Sequence, residues 1–97
     1  MNYYFVYILT NEKHSVFYTG ITSDLVKRIY EHKHKIIKGF TAKYSCSKLV
    51  WYRFHNNVNE AIADEKRIKR WKRVYKIDEI NKMNPAWNDL YPSLLEK

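Results

Sequence analysis

Val6-Tyr7-Ile8, followed after a polar interval by Tyr18-Thr19-Gly20, is the stretch that decides how this chain folds. Each triplet lies inside a short apolar run. Residues 3–9 (Tyr-Tyr-Phe-Val-Tyr-Ile-Leu) are aromatic or β-branched on both alternating faces, which predicts a central strand. Residues 16–21 predict a second strand, and Asn11-Glu12-Lys13-His14-Ser15 between them reads as a hairpin loop. Gly20 costs a strand stability and marks a bulge or a close approach of backbone. Tyr7 and Tyr18 stand where strand patterning alone does not call for them.

Working outward, Thr22-Ser23-Asp24 is a helix start, its hydroxyls able to cap free amides. The helix is expected to reach about Ile37 or Lys38 and to end at Gly39, with Leu25, Val26, Ile29, Ile36 and Ile37 as its apolar stripe. Residues 40–47 read as a polar loop, with Lys43 and Tyr44 in it and Lys48 just after. Residues 49–54 predict a third strand in which Trp51 and Arg53 alternate against Val50, Tyr52 and Phe54. Asn57-Val58-Asn59-Glu60 resembles a capping box and opens a second helix to about Trp71. Residues 73–83 predict a third helix with Val74, Ile77 and Ile80 at helical spacing, broken by Asn84-Pro85. The tail with Trp87, Leu90 and Tyr91 is expected to pack back on the domain. The order β-β-α-β-α-α is that of an α+β layer: a small three-stranded sheet flanked by helices, in one domain spanning 1–97.

The 97 residues carry a net charge of +8, nine tyrosines and three tryptophans. A basic balance favours polyanions, nucleic acid before anionic membrane, and surplus aromatics can fill a small core or stack on bases. The single cysteine, Cys46, excludes an internal disulfide and a cysteine-type zinc site and fits a reducing compartment. No leader-like segment precedes the first strand, and no apolar run approaches the ~18 residues of a membrane span. The expectation is a soluble, cytoplasmic protein.

Four features carry candidate chemistry. Glu65 lies three or four residues from Ala61, Ile62 and Ile68, so it falls on an apolar stripe, where a carboxylate is expensive unless paired or metal-bound. A hard cation such as Mg²⁺ needs only one or two carboxylates when phosphate and water complete its shell; the competing reading is an i,i+4 bridge to Lys69. Arg28 and His32 are one helical turn apart, at the border and on the apolar face of the first helix. The arginine can clamp a phosphate and the histidine can relay a proton; alternatively they are a packed histidine and a solvated arginine. Tyr7 and Tyr18 carry phenols that are poor bases unless a cation lowers their pKa, and each also reads as an ordinary strand residue. Seven of the eleven residues from Lys66 to Lys76 are Lys or Arg, interleaved with Ile68, Trp71, Val74 and Tyr75. Such a stripe can track a phosphate backbone without reading bases, and here Lys66, Lys69, Arg70, Lys72 and Arg73, with Lys43 of the loop, are the candidate contacts.

Together these elements resemble the GIY-YIG nuclease superfamily over nearly the whole chain, most closely its small stand-alone bacterial proteins. Val6-Tyr7-Ile8 and Tyr18-Thr19-Gly20 stand where its two triplets belong. The run from Gly20 to Leu25, followed by Arg28 and His32, is the strongest stretch. Residues 61–69 (Ala-Ile-Ala-Asp-Glu-Lys-Arg-Ile-Lys) match the helix that supplies the metal-binding glutamate. Val6 replaces the first triplet's glycine and Thr19 the middle isoleucine of the second, and neither change removes a side chain that the chemistry needs. The resemblance implies a three-stranded antiparallel sheet and hydrolysis of DNA assisted by one divalent ion, Mg²⁺ or Mn²⁺. It implies that Glu65 holds the metal, Arg28 steadies the scissile phosphate and Tyr7 is the general base. Tyr18 and His32 would position water or leaving group, and Gly20 would leave room for substrate. Pro85-Ala86-Trp87-Asn88 looks like a late element that would make Asn88 a phosphate or water contact.

The reading is therefore a metal-dependent endonuclease acting on DNA by structure rather than sequence, of the kind used in repair or recombination. A separate partner protein would supply substrate specificity. The alternative is a non-catalytic nucleic-acid-binding module that keeps the fold, and a third is an adaptor whose exposed aromatics bind protein. Keeping Glu65, which repels phosphate, favours the enzyme over a pure binder.

Overall fold

The computed structural model describes residues 3–96; positions 1, 2 and 97 of the expected domain lie outside the described residues. The elements are β1 (Tyr4–Thr10), β2 (Phe17–Thr22), α1 (Leu25–Lys33), α2 (Phe40–Lys43), β3 (Lys48–His55), α3 (Val58–Lys69), α4 (Arg73–Met83) and α5 (Tyr91–Leu94). The sheet is antiparallel in the order β2-β1-β3, so β1 is central. Both faces of a central strand are covered, and Val6, Tyr7, Ile8 and Leu9 are all buried. Val6 and Ile8 join Val50, Trp51, Ile68 and Ile80 under α3 and α4. Tyr7 and Leu9 point the other way and join Leu25, Ile29, Cys46 and Leu49 under α1. The β1–β3 register shifts between Ile8 and Leu9: Ile8 faces Trp51 and Leu9 faces Leu49. Val50 is the extra residue of this bulge, which takes it out of the alternation with Tyr52 and Phe54 and into the core beside Trp51.

α1 starts as its capping residues dictate. Asp24 accepts the Lys27 amide at 3.1 Å, and Thr22 Oγ1 accepts the Asp24 amide at 3.0 Å. It ends earlier than expected. Lys35 has φ 54°, its amide donates to His32 O, and the Ile36 amide donates to Glu31 O. These paired bonds satisfy the last carbonyls in the way a glycine usually permits. Ile36 is consequently exposed and is not part of the stripe, and neither Ile37 nor Lys38 is helical. Gly39, at φ 110°, does not end α1; it precedes α2, a helical turn inside the segment expected to be loop.

α3 is capped by Asn57, whose Oδ1 accepts the Asn59 and Glu60 amides. It stops at Lys69 rather than Trp71, and Ile62 is exposed rather than buried. Of the three apolar positions expected to anchor α4, Ile80 is buried and Val74 is exposed. The tail folds back as expected. Leu90 donates its amide to Leu49 O, and Leu90, Tyr91 and Leu94 pack on the α1 side of the core. No helix among the described residues is long and apolar enough to cross a membrane.

Gly20 pairs with Tyr7 across β1 and β2. A Cβ there would overlap Tyr7 Cζ and Oη and stand 2.9 Å from Cε1. The space expected for substrate is filled by the chain's own phenol. We expect Gly20→Ala to cost about 1–3 kcal/mol through overpacking, read by urea denaturation, and to cost far less in a Tyr7→Ala background. An equal cost in both backgrounds would place the clash elsewhere.

Candidate active site

The site grows from the buried hydroxyl of Tyr7. Its residue is 1% exposed, and an unpaired phenol there would be costly. Tyr7 Oη lies 2.9 Å from Nε2 of His32, which α1 brings over the sheet. His32 Nδ1 in turn lies 3.1 Å from Oγ1 of Thr41 on α2, and both residues are buried. Tyr18, one strand over, completes the cluster with ring centroids 6.3 Å from Tyr7 and 5.6 Å from His32.

Burial pushes the Tyr7 phenol well above its ordinary pKa. Tyr18 and Glu65 add to that shift, and the Arg28 guanidinium opposes it. Burial, followed by Arg28, holds His32 down at about 4. At neutral pH the cluster therefore holds a protonated phenol and a neutral imidazole, one nitrogen of which is a donor and the other an acceptor.

Arg28 is half-buried and its Nε lies 3.5 Å from Glu31 Oε1. Beside it a hollow of about 190 Å³ is lined by Thr22, Ser23, Asp24, Lys27, Arg28 and Glu31, two cations sharing it with two carboxylates. Glu65 is 9% exposed, and its Oε2 accepts from Lys69 Nζ at 2.7 Å. The glutamate lies on the buried stripe, and there it makes the i,i+4 bridge to Lys69. Among the described residues there is no group of three His, Cys, Asp or Glu that could hold a metal ion. Glu65 offers one carboxylate, and a hard cation can complete its shell with water and substrate phosphate.

The structure thus brings Tyr7, Tyr18, Gly20, Arg28, His32 and Glu65 together. Asn88 lies elsewhere. Its backbone is held by Asn84, whose Nδ2 also donates to Val50 O, so it sits along β3, on the far side of β1 from Gly20. The basic stripe also divides. Lys69 is taken by Glu65, and Arg73 donates to the carbonyls of His14 and Ser15 and lies over the Phe17 ring. Lys66, Arg70 and Lys72 are exposed, as is Lys43 on α2.

Two residues were missed by sequence reasoning. Thr41 carries no signal, because nothing in a polar segment marks the hydroxyl that will meet His32. Asp64 had one: Ala61, Asp64, Glu65 and Ile68 share the buried spacing of α3. It is 1% exposed and is paired with Arg53, His55 and Arg67.

A thin α+β layer that gathers two phenols, an imidazole, a guanidinium and a carboxylate at one strand pair defines a nuclease-type domain. Residues 3–82 match the GIY-YIG catalytic domain, and the chain belongs to that family. It is 38% identical over 81 residues to a UPF0213 protein of Clostridium perfringens, covering 84% of each chain. A solution NMR structure of a UPF0213 protein from Bacillus halodurans superposes with a TM-score of 0.57 at 25% identity, over 90% of this chain and 92% of that one.

The pKa of His32 makes stability depend on pH. Between about 6.5 and about 4 the unfolded chain takes up a proton that the folded chain refuses. The full contribution is present above that window and is lost as the pH falls through it, by at most about 3 kcal/mol. We expect urea denaturation between pH 7 and 4 to show a steeper loss for the wild type than for His32→Gln. Parallel curves would show that His32 is not buried neutral.

Proposed function

We propose that this protein is a metal-dependent endonuclease that hydrolyses DNA phosphodiester bonds, selecting its substrate by structure. The observation that carries this reading is the Tyr7–His32 hydrogen bond, on whose phenol Arg28 and Glu65 both act. A solvated surface would not assemble such a pair at the cost of burying it.

A free phenolate is too costly at Tyr7 for the side chain to wait deprotonated. Tyr7 instead accepts a proton from the attacking water while its own passes to Nε2 of His32. That transfer needs Nε2 as the acceptor, which puts the imidazole proton on Nδ1, within reach of Thr41 Oγ1 as its acceptor. The negative phosphodiester, once bound, favours the imidazolium that results. Arg28 faces the developing charge on the phosphate from the hollow beside it. Glu65 would hold the divalent cation, Mg²⁺ or Mn²⁺, exchanging Lys69 for it, and the cation would supply Lewis-acid stabilisation of the charge that builds up in the reaction. Tyr18 orders the water side of the cluster.

The substrate is held by charge. Arg67, Lys69 and Arg73 are engaged by other residues, and Lys66, Arg70 and Lys72 are the exposed cations of the stripe that we assign as contacts to the backbone. Specificity beyond this comes from a partner protein or from DNA shape.

The test is cleavage of supercoiled plasmid and of flapped and branched DNA with Mg²⁺ or Mn²⁺. We expect EDTA to abolish cleavage and Glu65→Ala to lower it on the order of a hundredfold or more, with DNA affinity equal or higher because a negative charge is gone. Full activity of Glu65→Ala would overturn the metal role. No cleavage of any substrate with salt-sensitive binding intact would leave a binding module.

A double Lys66→Ala/Arg70→Ala variant should flatten the dependence of log affinity on log salt by about 0.9 for each duplex phosphate that is no longer neutralised. Titrations by fluorescence anisotropy at several salt concentrations would read this. An unchanged slope would make the stripe a solvated face.

A further inference from the structure

The aromatic cluster does not stop at the site. Phe40 of α2 stacks on Tyr18 with centroids 6.2 Å apart and 29° between the rings, and Tyr44 follows 4.9 Å from Phe40. Tyr18 belongs to the half-buried site, but Phe40 and Tyr44 are 46% and 43% exposed. They are four residues apart, so they share one side of the turn. Their mount is firm: Thr41 is buried against His32, and the Cys46 amide donates to Thr41 O at 2.9 Å. The Lys43 ammonium stands 5.4 Å from the Tyr44 ring centroid.

The stretch of chain that carries this turn has charge of one sign. From His32 to Asn59 the chain contains no Asp or Glu, while Lys33, Lys35, Lys38, Lys43 and Lys48 all fall there. Lys33 is engaged by Asp89, and Lys35, Lys38 and Lys43 are exposed. Exposed rings among unopposed cations suit a polyanion that carries flat, apolar faces.

We propose that Phe40, Lys43 and Tyr44 form a stacking surface for the unpaired bases of a DNA strand, immediately beside the phosphate-cleaving site. The surface deepens the nucleolytic reading above, on which it rests, by naming the substrate: DNA with a single-stranded segment. Bases inside a duplex are already stacked and cannot use these rings, so the surface discriminates by strandedness and not by sequence.

The test is anisotropy titration in EDTA with a labelled oligothymidylate, a flapped duplex and a blunt duplex, on the wild type and on Phe40→Ala, Tyr44→Ala, Phe40→Trp and Lys43→Ala. Circular dichroism melting checks that each variant is folded, which exposed positions should allow. We expect each alanine at Phe40 or Tyr44 to weaken single-strand and flap binding about tenfold and duplex binding less than about twofold. Phe40→Trp should bind as the wild type. Lys43→Ala should flatten the single-strand salt slope by about 0.7. A 2-aminopurine base in the single strand should be quenched on binding the wild type and not on binding Phe40→Ala. Equal losses on single strand and duplex, or no loss in either alanine variant, would overturn the surface. Because EDTA removes cleavage from the readout, a strand preference that disappears in the alanine variants supports the surface even if no substrate is ever cut. Cleavage by a protein that binds single strand and duplex alike would overturn the surface and leave the nuclease reading standing.

Discussion

The contact on which the rest depends is the ring of Tyr7 lying on the bare backbone of Gly20. A central strand has neighbours on both sides and layers on both faces, so a large polar side chain on it has almost nowhere to go. The missing side chain on β2 provides that place. It lets the phenol lie across the adjacent strand with its hydroxyl directed to α1, where His32 and Arg28 are its polar partners. The chain of contacts from Tyr7 to His32 and on to Thr41 starts from that one absent Cβ.

α3 solves a different problem with two adjacent acids. Asp64 and Glu65 are both buried, yet their surroundings differ. Asp64 is saturated by two guanidinium groups and an imidazole, a closed set of charge-assisted bonds that ties β3 to α3. Glu65 has one partner, and that partner is a lysine on its own helix with half its side chain in solvent. The ammonium can exchange this bridge for water, but the buried carboxylate cannot give it up without another cation in its place. One carboxylate is thus committed to the fold and its neighbour is held in reserve.

Much of this was legible in the chain. The aromatic, two-sided character of residues 3–9 marked β1 as central, and Asn57 with Glu60 marked the start of α3. Arg28, His32 and Glu65 could be placed on faces by counting. What could not be read has physical causes. α1 stops early because Lys35 takes a left-handed conformation that backbone sterics favour only for glycine or asparagine, while Ile36 and Ile37 prolong the helical period beyond it. Arg73 reads as one more cation of a stripe, since nothing local reveals that the carbonyls it binds lie almost sixty residues earlier. Asp64 was masked by its neighbour: Glu65 alone accounts for an acid on the apolar stripe, and Asp64 shares the same spacing.

The turn joining β1 to β2 is lashed down from three directions. Arg73 holds its carbonyls, Lys48 reaches His14 at 2.9 Å, and Trp87 lies against the His14 ring. Those three residues come from the start of α4, the start of β3 and the far tail. The hairpin bearing both tyrosine triplets is therefore not an autonomous unit with a C-terminal appendage. Its register, and with it the seating of Tyr7 over Gly20, is underwritten by the later part of the chain. Fraying of that tail would take away the Trp87 contact on the turn and loosen the register that seats the phenol.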